Sequence, residues 1–125
     1  GAEEFLRRVS AQIPVVLVTN GFAAVQRARF AASPLRRYVR DILISEDFAH
    51  AKPHPEMLLD AMRRMHITDP RQVVMIGDNE DTDIQAAQNA GMHSILYTNG
   101  AQPPERTIAD FTAVTLKDAG EWILL

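Results

Sequence analysis

Between residues 73 and 91 the chain reads VVMIGDNEDTDIQAAQNAG, and the rest of the sequence is arranged around that stretch. Val73-Val74-Met75-Ile76 is a short apolar run without polar alternation, which suits a parallel strand buried on both faces. Gly77 follows, where a backbone can turn tightly or come close to a ligand. Asp78, Glu80, Asp81 and Asp83 then crowd into the next few positions. Ile84, Ala86, Ala87 and Ala90 continue as a helix, which Asp81 or Thr82 can cap and Gly91 can end. Carboxylates gathered at the carboxyl end of a buried strand repel one another unless something positive compensates. An oxygen-rich set without cysteine suits Mg²⁺. Glu80 and Asp81 are explained as well by a helix N-terminus, where negative charge is stabilising. Asp78, directly at the strand end, reads as functional.

The same alternation runs through the whole chain. Ile13–Val18 (IPVVLV), Asp41–Ser45 (DILIS) and Ser94–Tyr97 (SILY) read as further strands, with Phe111–Thr115 as a short edge strand. Helical patterns cover Glu3–Gln12, Phe22–Ala32 with Val25 and Phe30 inward, about Glu56 to Met65, and Leu116–Leu125. Strands alternating with helices predict one α/β domain over residues 1–125, with a parallel sheet between two helical layers. At 125 residues, 46% hydrophobic and 23% charged, the chain has the balance of one ordinary globular domain. A net charge of −3 gives no basic field for nucleic acid or an anionic membrane, so neither is an expected partner. No apolar run approaches membrane-spanning length and no signal peptide is visible, so a cytoplasmic location is the default. The absence of cysteine excludes disulfides and thiolate metal sites.

In a parallel α/β sheet all strand carboxyl ends share one edge, and ligands bind there. Three polar sets fall on that edge: Thr19-Asn20-Gly21, Lys52-Pro53, and Gly77-Asp78 with Asp83. Together they supply a hydroxyl, backbone donors, a cation and metal-seeking carboxylates. Those are the parts that hold a phosphoryl group and offset its charge in the transition state. Singly, each has a plain explanation as a turn, a surface lysine or a helix cap. Their convergence at successive strand ends is the functional argument.

The ordered set VLVTNG, AKPHPEML and VVMIGDNEDTDIQAAQNAGM resembles the second, third and fourth motifs of the haloacid dehalogenase (HAD)-like hydrolase superfamily, over essentially the whole chain. The phrasing TNGF, ISEDF and AKPHPE resembles its subfamily I members, nucleotide 5′-monophosphatases above all. The resemblance implies a three-layer Rossmann-like parallel sheet and a Mg²⁺-dependent phosphomonoesterase acting on a small phosphorylated substrate. It implies that Thr19 hydrogen-bonds the transferring phosphoryl group, with Asn20 and Gly21 beside it, and that Lys52 steadies the charge on nucleophile and phosphate. Asp78 would ligate Mg²⁺, and Asp83 would support the metal waters or orient Lys52. His54 could touch substrate or be a structural, solvent-exposed histidine.

The family's first motif, an Asp-x-Asp whose first Asp is phosphorylated, is not found here. Asp81-Thr82-Asp83 has the letters but lies in the fourth motif. The expected fold is therefore incomplete, with the nucleophile strand and the helical cap missing. In the resembled fold that strand lies between Ile13–Val18 and Val73–Ile76. Its absence would expose apolar edges that favour a strand-exchanged or paired homo-oligomer. Two readings follow: the carboxyl-terminal part of a hydrolase, inactive alone because covalent catalysis lacks its nucleophile, or a non-catalytic phosphate- or protein-binding module. A response-regulator receiver has similar residue types in the wrong order, since here Thr and Lys precede the acids.

Overall fold

The structure, a computed structural model, describes residues 1–124; the expected end of the last helix at Leu125 lies outside the described residues. Helices and strands alternate as α1 (Ala2–Ser10), β1 (Val16–Thr19), α2 (Ala23–Ala32), β2 (Asp41–Ile44), α3 (Glu56–Arg64), β3 (Val74–Gly77), α4 (Gln85–Ala90), β4 (His93–Tyr97), β5 (Phe111–Ala113) and α5 (Leu116–Leu124). Pro34–Tyr38 and Pro70–Gln72 are 3₁₀ turns, entered through the side chains of Ser33 and Asp69.

All strand pairs are parallel, but they form two sheets. β1 pairs with β2, Val16 opposite Asp41. β3, β4 and β5 make the second sheet, with Gly77 opposite Leu96 and Leu96 opposite Thr112. The period of two along β3 sorts its side chains between the helical layers. Val73 and Met75 pack with Leu58 of α3 and Ala86, Ala87 and Ala90 of α4. Val74 and Ile76 pack on the other face with Phe5 of α1 and Ala119 of α5. Val18 of β1 joins the first of these clusters, which ties the two sheets together through α3 and α4.

The facing edges of β1 and β3 bound an apolar slot of about 370 Å³, with Phe5, Val9, Met65 and Ile123 among its walls. This slot corrects two sequence expectations. Ile13–Val18 was expected to be a buried strand, yet pairing begins only at Val16 and Leu17 is 42% exposed. Val73–Ile76 was expected to be a strand buried on both faces, yet the strand runs Val74–Gly77 and all of it is only half-buried. Each strand is paired on one edge and open on the other, so neither is covered as a central strand would be. Val25 is a further correction: it is 47% exposed, because α2 lies against β2 and the adjoining turns and has no buried residue.

Candidate active site

Lys52 is the hinge of the site. Its Nζ donates to the Val18 carbonyl at 3.0 Å and to Asp83 Oδ1 at 2.6 Å. The two side chains of that ion pair are 8% and 10% exposed. The ammonium thus spans the two sheets, from the end of β1 to the helix that follows β3. The loop delivering it is clasped by Asn20, whose Oδ1 accepts from the Lys52 amide at 3.3 Å and whose Nδ2 donates to the Lys52 carbonyl at 3.4 Å. The Lys52–Pro53 peptide bond is cis.

Asp83 reaches Lys52 because of Gly77. A Cβ at Gly77 would overlap the Asp83 side chain, so only glycine lets the strand end lie against that carboxylate. The other Asp83 oxygen, Oδ2, accepts from the Asn79 amide at 3.4 Å. The segment Glu80–Ile84 is π-helical, opening α4 with wider turns. Such turns are rare and occur mostly as single insertions, frequently at functional sites. The cap is Asn79, not Asp81 or Thr82 as expected: its Oδ1 accepts from the amides of both. Glu80, expected to decorate the helix end, accepts from Thr107 Oγ1 at 2.6 Å and from the Ile108 amide at 2.7 Å. It pins the long 98–110 loop beside the site, a contact that no local pattern announces.

Asp78 is exposed, and among the described residues its carboxylate has no hydrogen-bond or ion-pair partner. It lines a pocket of about 310 Å³ together with Lys52, Gly77, Asp83, Val18 and Tyr97. Tyr97 was read only as the end of a strand. The register that sets Gly77 opposite Leu96 puts it one residue further along the same edge, beside Asp78. An unpartnered carboxylate at an open pocket that also holds Asp83 fits a hard divalent cation that keeps several of its waters.

Thr19 is not a wall of that pocket but sits between two residues that define it. Val18 before it receives Lys52 Nζ, and Asn20 after it holds the Lys52 backbone. The Thr19 hydroxyl makes only a 3.3 Å bond to the neighbouring Asn20 carbonyl. The Gly21 amide is already bonded, at 3.0 Å, to Ser45 Oγ, and the Ala23 amide to Glu46. Ser45 and Glu46 therefore set the turn between β1 and α2, although their sequence context reads only as a strand exit. His54 is exposed, and its Nδ1 accepts from the Glu56 amide at 3.1 Å.

The haloacid dehalogenase-like hydrolase family model matches residues 1–91. The chain belongs to that family. It is 29% identical over 119 residues to the pyrimidine 5′-nucleotidase YjjG of Escherichia coli, covering 94% of this chain and 53% of that protein. It is 35% identical over 88 residues to the phosphoglycolate phosphatase of the same species, covering 70% of this chain and 34% of that one. Among solved structures it superimposes on the magnesium-bound HAD-hydrolase YfnB of Bacillus subtilis with a TM-score of 0.89 at 25% identity, over 100% of this chain and 55% of that one. The HAD chain thus spans about half the length of such relatives. The incomplete α/β architecture read from the sequence agrees with this fold. No described helix is long and apolar enough to cross a membrane.

Proposed function

We propose that this chain is part of a Mg²⁺-dependent phosphomonoesterase acting through an aspartyl-phosphate whose nucleophile lies outside the chain. The observation that carries the proposal is the buried Lys52 ammonium, held by Val18 and Asp83 in the same pocket as an unpartnered Asp78 carboxylate. The likeness to a pyrimidine 5′-nucleotidase and a phosphoglycolate phosphatase supports a small phosphate ester as substrate.

In this reading Lys52 places a fixed positive charge where phosphoryl oxygens gather charge in the transition state. Because it is already ordered and largely out of water, its field is weakly screened and needs no reorganisation. Asp83 positions that ammonium and supports the metal waters, and Asp78 supplies the carboxylate oxygen for Mg²⁺. When bound, the metal would neutralise phosphoryl charge and orient the group for in-line attack. Thr19 turns its weakly held hydroxyl to the phosphoryl group, while Asn20 and Gly21 keep the turn in shape beside it. The slot between β1 and β3 supports an external nucleophile, since a strand lying there would end at the pocket. The same reading makes the protein cytoplasmic and makes a paired or strand-exchanged oligomer the expected state of the chain alone.

The test is hydrolysis of p-nitrophenyl phosphate with Mg²⁺, by the chain alone and by the chain joined to an Asp-x-Asp-bearing amino-terminal segment. Only the second should turn over, and Asp78→Asn should cost it on the order of a hundredfold, the scale of losing one preorganised electrostatic partner. Robust hydrolysis by the chain alone, abolished by Asp78→Asn, overturns the external nucleophile. The second reading, a non-catalytic phosphate- or protein-binding module, is favoured by the two open strand edges. Mg²⁺-dependent phosphate binding without hydrolysis in the joined protein would establish it.

A further inference from the structure

A separate cluster of ligating side chains stands on the loop that carries Lys52. His50, His54 and Glu56 bring one potential ligand atom each to within 4.8 Å of one another, the only such group of histidine and carboxylate side chains among the described residues. We propose that these three residues form a binding site for a borderline divalent transition metal, Zn²⁺ being the representative ion, distinct from the Asp78 pocket.

The donor set carries the choice of metal. Two imidazole nitrogens and one carboxylate oxygen match Zn²⁺, Co²⁺ or Ni²⁺, whereas Mg²⁺ prefers oxygen alone. Three protein ligands leave the remaining positions to water, and both imidazoles are exposed to it.

Local bonding already holds these side chains together. His54 Nδ1 is occupied by the Glu56 amide, which leaves Nε2 to ligate. Glu56 Oε1 accepts from the Ala49 amide at 3.1 Å, and Oε2 is hydrogen-bonded to His50 Nδ1 at 3.0 Å, so a cation bound by these two atoms would take the place of the proton they share. The two rings stack with centroids 4.0 Å apart and planes within 12°. A bound ion needs both nitrogens aimed at one point, so the rings must tilt out of this stack, a rotamer adjustment that exposed side chains make readily. The backbone beneath them is stiffer. Pro53 and Pro55 fix φ on either side of His54, the His54 amide bonds to the Ala51 carbonyl at 3.0 Å, and Glu56 begins α3. Fixing the ligands' backbone in advance lowers the ordering cost of binding. Lys52 lies between the two histidines in sequence, so a bound ion would clamp the loop that presents the site's cation. This assignment does not depend on the phosphatase reading.

Isothermal titration of the 125-residue chain with ZnCl₂ alone tests the site, with the histidine ring resonances followed in parallel as Co²⁺ is added. One ion should bind per chain. Of the four histidines, the rings of His50 and His54 should shift and broaden first, and those of His66 and His93 should not. His50→Gln with His54→Gln should weaken Zn²⁺ binding by more than the roughly tenfold typical of losing an outer-shell partner. Asp78→Asn should leave it unchanged. Unchanged affinity in the double variant, loss of binding in Asp78→Asn, Co²⁺ broadening centred on His66 or His93, or no saturable Zn²⁺ binding overturns the proposal. The resonance measurement uses the unaltered chain and so decides the matter even if a variant folds poorly.

Discussion

β1 and β4 are both short apolar strands in parallel pairing, yet they differ sharply in cover. β4 has a strand on each edge and a helical layer on each face, and Ile95 at its centre is 0% exposed. β1 has one strand partner, and Leu17 is 42% exposed at the side of the slot. Strand pairing alone does not set this: β2 also has one strand partner, yet Leu43 and Ile44 are 1% and 0% exposed, so burial follows what packs on each side chain. One half of the molecule is built on β3, β4 and β5 and the other on β1 and β2, and the opening is the slot between β1 and β3. Lys52 joins them.

The join should be the most sensitive point. Asp83→Ala leaves a buried ammonium without its partner, and breaking such a pair costs about 3–5 kcal/mol. Urea denaturation would read this as a lowered midpoint; a loss near zero would mean that the two halves are held together without the ion pair. The strands β4 and β1 should respond unequally. Ile95→Ala should cost about 2–5 kcal/mol, the range for truncating a buried aliphatic side chain. Leu17→Ala in the same chain should stay within about 0.5 kcal/mol, as for surface positions. Equal losses would break the contrast between the covered strand β4 and the slot edge of β1. Gly77→Ala tests the contact of the β3 end with Asp83: forcing a Cβ into that space should cost about 1–3 kcal/mol, as overpacking does, with Lys52 displaced and activity of the joined protein reduced.

The smallest effect concerns the ion pair that fastens β2 to α3. Arg64 Nη1 lies 2.7 Å from Asp41 Oδ2, with both side chains about two-fifths exposed. Partial burial raises the Asp41 pKa, but the Arg64 hydrogen bond and the Ile42 amide outweigh it and hold the carboxyl below its ordinary value of 3.8. A depressed carboxyl stabilises the fold above its ordinary pKa, and that contribution is lost as pH falls through the lowered value. Arg64→Ala should therefore cost only a few tenths of a kcal/mol near neutral pH, as exposed pairs do. The difference from the parent should shrink toward zero as the solution is acidified below pH 3.8. A difference that persists in acid would assign the loss to the packing of the Arg64 stem instead.

The candidate site residues could be read from the sequence because their signals are local. Thr19, Lys52 and Asp78 each follow a recognisable strand or loop, and a parallel sheet puts such ends on one edge. Asn79 was missed as the cap because Asp81 and Thr82 are equally good capping residues, and only the wide turn at Glu80–Ile84 decides among them. Tyr97 and Glu80 were missed because their partners lie across the fold, in the register with β3 and in the 98–110 loop. The exposure of Leu17 and Val25 was missed because an apolar letter states a preference for burial, not the presence of a neighbour.

By itself the sequence determined the alternation of strands and helices, the three sets of polar residues and the glycine before Asp78. These depend on propensity, periodicity and backbone permissiveness, which act over a few neighbouring residues. It took the folded chain to show that Asp83 takes Lys52, that Asp78 has no partner among the described residues, and that the sheet divides at a slot. Those outcomes depend on which distant groups come within a few ångströms, and charge pairing and burial are settled only at that range.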